Sequence, residues 1–452
     1  MAGEREEMER IRRSVLVEVA RQMLGGKLGD LEEAIRKAVS QCFPEGKVDR
    51  RGVEETIVRH LQTALRPRSG HSPVATVLKE ACRRCAEEVT DCGASCPVGA
   101  LGKDADGASR IDEEACIDCG LCINACYVGA IVERSEFLQV LGFIADRSRP
   151  AHAILAPSFV GQFGPGATPE RIKATLLRLG FSEVYEVALA ADVITVAEGR
   201  EFLERWDAGE SFMITSCCCP AFIKLVEKHR PRLAHLISPS VSPMIALGRL
   251  LKSRAEPDRE PYVVFIGPCI AKKNEARLAD LGHAVDCVLT YREANLLFEA
   301  ANLDPSEPVV TAPWSDASRS GRNYAHTGGV THAILEYIGV RRPGLVLETV
   351  KGNGLKQCQE LLSEAERGTL HANFMEGMAC PGGCVGGPGT VIPAEEGKAA
   401  VLAFAERSPF RGARDNPKAQ HWSIHLAPHT DLTSGKDRPE HSAPLGRAPV
   451  QW

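Results

Sequence analysis

Seventeen cysteines stand in this chain of 452 residues, and they fall in short clusters. That grouping constrains the fold more than any other feature. From Phe374 to Gly387 the sequence reads Phe-Met-Glu-Gly-Met-Ala-Cys380-Pro-Gly-Gly-Cys384-Val-Gly-Gly. Two thiols four apart and hemmed in by glycines suit a loop whose backbone must approach an inorganic cluster closely. Two cysteine loops answer it from upstream: Thr215-Ser216-Cys217-Cys218-Cys219-Pro220, and Gly267-Pro268-Cys269-Ile270-Ala271-Lys272-Lys273-Asn274-Glu275. A disulfide scaffold does not fit an odd count in a large chain with its thiols in such motifs. Metal ligation is the economical explanation, and the spacing favours iron–sulfur clusters over zinc.

The rest of the composition excludes more than it assigns. A hydrophobic fraction of 44% and a charged fraction of 25% are those of an ordinary soluble protein. A net charge of -5 gives no reason to expect nucleic acid or an anionic membrane as a partner. No apolar run approaches membrane-spanning length. Residues Met1 to Arg10 are charged and lack the apolar stretch or twin arginine of an export signal, so a cytoplasmic location is expected.

This length implies two or three domains. Residues 1–70 read as a helical segment, with Ile11, Val15 and Val19, then Ile57, Leu61 and Leu65, at helical spacing. A docking or covering module is the expected role. Residues 78–132 carry eight cysteines and form a second unit. Residues 150–406 read as α/β, with buried strands at Ala153–Ala156, Phe212–Ile214, Tyr262–Ile266 and Val285–Leu289. Helical patterns run from Ala221 to Lys228, Arg292 to Ala300 and Leu355 to Arg367. Residues 411–452 are rich in Pro, His, Asp and Ser, and a poorly ordered tail is expected there.

In the eight-cysteine unit, Cys116-x2-Cys119-x2-Cys122-x3-Cys126 has the spacing of a bacterial ferredoxin motif, whose fourth thiol serves the other cluster. Its partner is Cys82-x2-Cys85-x6-Cys92-x3-Cys96, four residues longer between its second and third thiols. By the crossed pattern Cys82, Cys85, Cys92 and Cys126 bind one [4Fe–4S] cluster, and Cys116, Cys119, Cys122 and Cys96 the other. Val98-Gly99-Ala100 and Val128-Gly129-Ala130 follow the two fourth cysteines, as ferredoxins often show; Tyr127 stands where proline is usual. Zinc is the alternative for any pair of Cys-x2-Cys motifs, but an x2-x2-x3 run is poorly suited to one tetrahedral site.

The three later loops together resemble the signature loops of the [FeFe]-hydrogenase family, in its triple-cysteine subtype. The resemblance covers residues 78–405 and implies a two-lobed α/β catalytic domain around a buried cluster. A small α+β ferredoxin-like domain and the helical segment precede it. It implies an H-cluster, a [4Fe–4S] unit joined by one cysteine to a two-iron centre dressed with CO, cyanide and a bridging dithiolate. Cys219, Cys269, Cys380 and Cys384 match the cubane ligands, with Cys384 bridging. Counting from Pro220 makes Cys218 the proton-handling thiol, and Cys217 replaces a residue that is usually serine. Lys272 and Pro157-Ser158 match groups that hydrogen-bond the cyanides, and Met378 an apolar contact on the two-iron unit. Ser238, Glu198, Glu201 and Arg205 match an outer proton relay. Glu198, Glu201 and Arg205 also fit an ordinary solvated salt-bridge face at helical spacing. Thr327-Gly328-Gly329-Val330 and Val350-Lys351-Gly352 resemble further family segments. Met244 departs from a common glutamine, and Gly386-Gly387-Pro388-Gly389 from a Gly-Gly-Gly-Gln-Pro ending.

The activity implied is reversible H2 oxidation and proton reduction, with electrons relayed through two ferredoxin-like clusters to a ferredoxin or similar carrier. Maturation proteins would insert the two-iron unit. A low-turnover H2 sensor and a non-catalytic iron–sulfur protein of the same fold are the alternatives. Cys42, Cys287 and Cys358 have no partner motif and read as apolar core thiols.

Overall fold

The computed structural model describes residues 2–26, 31–42, 55, 57–61, 72–83, 85, 91–126, 128–215, 217–310 and 312–426. Two parallel sheets organise residues 150–406. Four strands, β5 (Ala151–Leu155), β6 (Glu183–Glu186), β8 (Tyr262–Gly267) and β9 (Cys287–Thr290), lie in the order β6-β5-β8-β9. Three more, β7 (Met213–Thr215), β10 (Thr349–Asn353) and β11 (Phe374–Met378), lie in the order β10-β11-β7. Strand alternation explains the near-continuous apolar runs. Ala153, Leu155, Val264, Ile266, Cys287 and Leu289 pack into a core on one face of the larger sheet. Ile154, Val263, Phe265 and Val288 pack into another on the opposite face. Cys287 is therefore a core residue, buried with a raised pKa from loss of solvent.

The expected strands and helices of this region are present within a residue or two of their reading. Three strands were not legible. β6 and β10 are short and partly polar, and β11 occupies part of what reads as a glycine-rich loop. Its Gly377 packs where a Cβ would lie 2.2 Å from the Phe222 ring, so that glycine serves close packing within a strand.

The eight-cysteine unit has two small antiparallel pairs, β1 (Ala75–Val77) with β4 (Ile131–Glu133), and β2 (Leu101–Lys103) with β3 (Ser109–Ile111). At its amino end the helices Ala2–Leu24 and Leu31–Cys42 share one apolar core with the Tyr291–Ala300 helix, through Ile11, Val15, Val19, Ile35 and Leu297. Arg12 Nη2 donates to Gly129 O at 2.8 Å, and buried His60 pairs with Glu133 O at 2.9 Å. Leu65 and Tyr127 lie outside the described residues.

Residues 411–426 are folded, contrary to the expected tail. The Pro417–Leu426 helix follows Asn416, which is buried and donates to Asp192 Oδ2 at 2.9 Å and Asp316 O at 2.9 Å. Pairing of an amide with a buried carboxylate holds this segment where composition offered little apolar anchorage. The remaining tail residues, 427–452, lie outside the described residues. Among the described residues no helix is long and apolar enough to cross a membrane.

Candidate metal centre

Parallel strands bring their carboxyl ends to one edge, and ligands bind there. Here the two sheets do this toward a shared cavity. β5 leads to Ala156-Pro157, β7 to Cys217–Cys219, β8 to Pro268-Cys269, and β11 to Cys380. The cavity's walls include Cys218, Cys219, Cys269, Cys380 and Cys384. Pro157, Met244, Lys272 and Met378 complete the part that concerns chemistry. Gly383, at φ 91°, lets the Cys380–Cys384 loop turn beneath Thr327, where a Cβ would lie 2.6 Å from the Thr327 nitrogen.

The four thiols Cys219, Cys269, Cys380 and Cys384 influence one another. Burial and then the charge of Cys219 push Cys269 up to about 12 and Cys384 up to about 12. Cys380 is raised further by burial and by Cys269, Cys219 and Cys384. As free thiols they keep their protons; ligation to a cationic cluster would stabilise the thiolates. Burial alone would lower the pKa of Lys272, but the charges of Glu275, Cys269 and Cys218 outweigh it and hold the ammonium charged. Its Nζ donates to Glu275 Oε2 at 2.7 Å, and Ser242 Oγ donates to the same oxygen at 3.0 Å. Ser158 is fully buried but does not line the cavity; its hydroxyl shares a 2.8 Å hydrogen bond with Tyr291 Oη.

Cys218 faces the cavity, while Cys217 stands on the other side of the turn beside Glu198. Thr215 Oγ1 donates to Glu198 Oε2 at 2.7 Å, and Glu198 Oε1 is buried without a hydrogen-bond partner among the described residues. Ser238 Oγ donates to Glu201 Oε2 at 2.7 Å, and Arg205 pairs with Glu201 Oε1 at 2.8 Å. Only Arg205 approaches solvent, with 19% of its side chain exposed. The Glu198–Glu201–Arg205 row is therefore an inward face of its helix, and the solvated-face alternative does not describe it.

Burial, countered in part by Thr215 and reinforced by Glu201, lifts Glu198 from 4.5 to about 7. The native state thus holds an extra proton between those values. Stability from this group is fully present below its unfolded pKa and falls by roughly 3 kcal/mol as pH rises through 7. Glu198→Gln is expected to flatten that slope, measured by denaturant unfolding at about pH 5 and about pH 8. An unchanged slope would show that Glu198 is not the titrating group.

In the eight-cysteine unit, Cys96 influences Cys119 and Cys122, and Cys116 and Cys119 influence Cys122. Cys126 instead feels Cys92. Cys82 and Cys92 both meet Ser109, whose nitrogen donates to Cys82 Sγ at 3.2 Å. The Val-Gly-Ala repeats have a physical role. Gly99 and Gly129 adopt φ 66° and 63°, and the following Ala100 and Ala130 nitrogens donate to Cys96 and Cys126 Sγ, each at 3.2 Å. Cys119 also influences Cys380, so the Cys116–Cys122 loop faces the four-thiol cavity.

Among the described residues no three His, Cys, Asp or Glu side chains converge tightly enough to hold a single metal ion. A cube of four irons takes thiols around its corners and needs no such tight convergence, and Cys219, Cys269, Cys380 and Cys384 all line the one cavity. Sequence reasoning missed Tyr291, the burial of Glu376 beside Cys218, and the Asp118–Lys224 pair of the ferredoxin-like loop. Only Asp118, placed between two cysteines of one motif, carried a signal.

The family described as "Iron only hydrogenase large subunit, C-terminal domain" matches residues 149–388, and that described as "4Fe-4S binding domain" matches residues 109–132. The NADP-reducing hydrogenase subunit HndD of Solidesulfovibrio fructosivorans is 29% identical over 369 residues, 68% of this chain and 62% of that protein. Cytosolic iron-sulfur assembly component 3 of Bos taurus is 25% identical over 344 residues, 62% of this chain and 72% of that protein. A solved structure from a study of stepwise [FeFe]-hydrogenase H-cluster assembly superposes with a TM-score of 0.55 at 25% identity, covering 69% of this chain and 98% of that one. The chain thus spans less than two thirds of its hydrogenase relative's length. With the parallel sheets converging on a cysteine-walled cavity and a 4Fe-4S segment docked against it, the chain belongs to the iron-only hydrogenase large-subunit family.

Proposed function

We propose that this protein is an [FeFe]-hydrogenase of the triple-cysteine subtype, catalysing reversible H2 oxidation and proton reduction. The observation that carries the reading is the cavity that gathers Cys218, Cys219, Cys269, Cys380 and Cys384 with Lys272 and Met378. Cys219, Cys269, Cys380 and Cys384 would hold a cubane, with Cys384 bridging to a two-iron unit. That unit, when bound, supplies the open metal position and the base at which H2 is split.

The protein's own part is to hold, orient and move protons. Lys272 keeps a buried positive charge beside the site, suited to anionic cyanide ligands, and Glu275 fixes its position at 2.7 Å. Met378 and Pro157 supply apolar walls that limit water. Cys218 would exchange a proton with the site, and Glu198, Ser238 and Glu201 would carry it to Arg205 at the surface. A carboxyl lifted to about 7 suits such a carrier, since it both gains and loses a proton near neutrality. Cys82, Cys85, Cys92 and Cys126, then Cys96, Cys116, Cys119 and Cys122, would hold the two clusters leading electrons from a ferredoxin-like carrier.

A second reading is a non-catalytic iron–sulfur protein, which the similarity to the assembly component favours. Infrared spectroscopy of anaerobic protein after maturation separates the two. Bands where metal-bound CO and cyanide absorb are expected. Their absence from a matured sample that retains its cubanes would overturn the hydrogenase reading. With bands present, turnover rate distinguishes an enzyme from a sensor.

A further inference from the structure

Between Cys116 and Cys122 the backbone passes through two left-handed positions, Asp118 at φ 61° and Gly120 at φ 77°. Gly120 is explained by its φ together with close packing, since a Cβ there would lie 2.6 Å from Ile270 Cδ1 and 3.2 Å from Pro388 Cγ. Asp118 is not: glycine would be the least strained residue at its φ, so an aspartate there needs a reason. Its carboxylate is 3% exposed, and both oxygens are engaged. Oδ1 accepts from Val74 N at 2.8 Å, and Oδ2 accepts from Lys224 Nζ at 2.6 Å and from Asn274 Nδ2 at 2.7 Å.

The partners come from separate parts of the chain. Val74 leads into the ferredoxin-like unit. Lys224 lies on the Pro220–His229 helix, which begins directly after Cys219. Asn274 lies five residues past Cys269, in the Ala271–Glu275 turn of helix. One carboxylate therefore ties the ligand loop of the second cluster to two ligand loops of the four-thiol cavity.

Lys224 is 2% exposed, so the pair is buried. An apolar pair could dock these surfaces at equal or lower cost, because desolvating two charges is expensive. Charge beside a cluster, by contrast, tunes its reduction potential. Asp118 Oδ1 lies 3.9 Å from Cys116 Sγ, and Lys228, one turn beyond Lys224, donates to Cys116 O at 2.9 Å.

We propose that Asp118, with Lys224 and Lys228, sets the reduction potential of the cluster of Cys96, Cys116, Cys119 and Cys122 and fixes its approach to the four-thiol cluster. These are positioning residues, acting through the ligand loop. The step they govern is a one-electron exchange, in which one cubane is oxidised as the other is reduced, with no bond made and no proton moved.

The test uses full-length protein loaded with cubanes alone, so it does not depend on a two-iron unit. Electron paramagnetic resonance is followed during a redox titration. Asp118→Asn removes the negative charge and is expected to raise the potential of the second cluster. Lys224→Gln keeps a donor to Asp118 but removes the positive charge, and is expected to lower it. A shift that redistributes one electron about tenfold between the clusters corresponds to about 59 mV. The cluster of Cys82, Cys85, Cys92 and Cys126 should stay where it is and serve as the internal reference. Potentials unmoved in both loaded variants would reduce the pair to a clamp and overturn the proposal. If neither variant retains the cluster, half-buried Lys228→Gln carries the test, and an unmoved potential there overturns it. Failure of the infrared test would leave this result untouched.

Discussion

Replacing Cys218 by alanine is expected to lower H2 turnover by about 10²–10⁴-fold, the range for loss of a positioned proton-transfer group. The cubane signals of the matured protein should persist, because Cys218 is assigned no iron. Cys218 lines the cavity while Cys217 lies behind the turn against Glu198. Turnover of Cys218→Ala and its paramagnetic resonance spectrum, taken on one preparation, give the answer. Full activity would sink the relay assignment. Loss of the catalytic cubane's signal would mean that Cys218 and Cys219 have exchanged roles.

Lys273→Met is expected to cost about 3–5 kcal/mol of stability, as for a buried charge network that loses one partner. Lys273 is fully buried, and its Nζ meets Glu293 Oε2 at 2.8 Å, Glu133 Oε2 at 3.0 Å and Arg134 O at 2.7 Å. Glu133 ends β4 of the eight-cysteine unit, whereas Glu293 closes the capping box of the Tyr291–Ala300 helix in the α/β region. Without the ammonium, two carboxylates face each other with one cation fewer between them. Anaerobic denaturant unfolding of variant and parent measures the difference. A loss below about 1 kcal/mol, the scale of a surface pair, would contradict this account.

The two lysines of one loop show how far sequence reading extends. Lys272 is singled out by a motif, and it lines the cavity. Its neighbour Lys273 carried no functional signal, yet it joins Glu133 of β4 to Glu293 of the Tyr291–Ala300 helix. A motif registers groups that a cofactor requires at a set spacing. It does not register Glu133, whose approach to Lys273 spans 140 residues and depends on how the units dock.

Cysteine spacing likewise carried the grouping of thiols. Only three residues lie between Cys380 and Cys384, and no chain geometry brings such a pair far apart. The parallel strands were legible where both faces are buried, as in Tyr262–Gly267, and illegible in Thr349–Asn353, which is partly exposed and contains Lys351 and Gly352. The composition of residues 411–426 read as tail because it shows few apolar anchors. Buried Asn416, bonded to Asp192 Oδ2 and Asp316 O, anchors them together with Ala419 and Trp422, which pack on the core.

By itself the sequence determined the chemical inventory: which thiols belong to which loop, and which strand runs would be buried on both faces. These are local properties, written in spacing and alternation. Tertiary structure alone decided that Glu198 and Glu201 face inward, that Ser158 is taken up by Tyr291, and that Asp118 meets Lys224 across 106 residues of chain. Those outcomes rest on burial and on charge meeting charge through space, and both depend on the packing of distant segments rather than on neighbours in the chain.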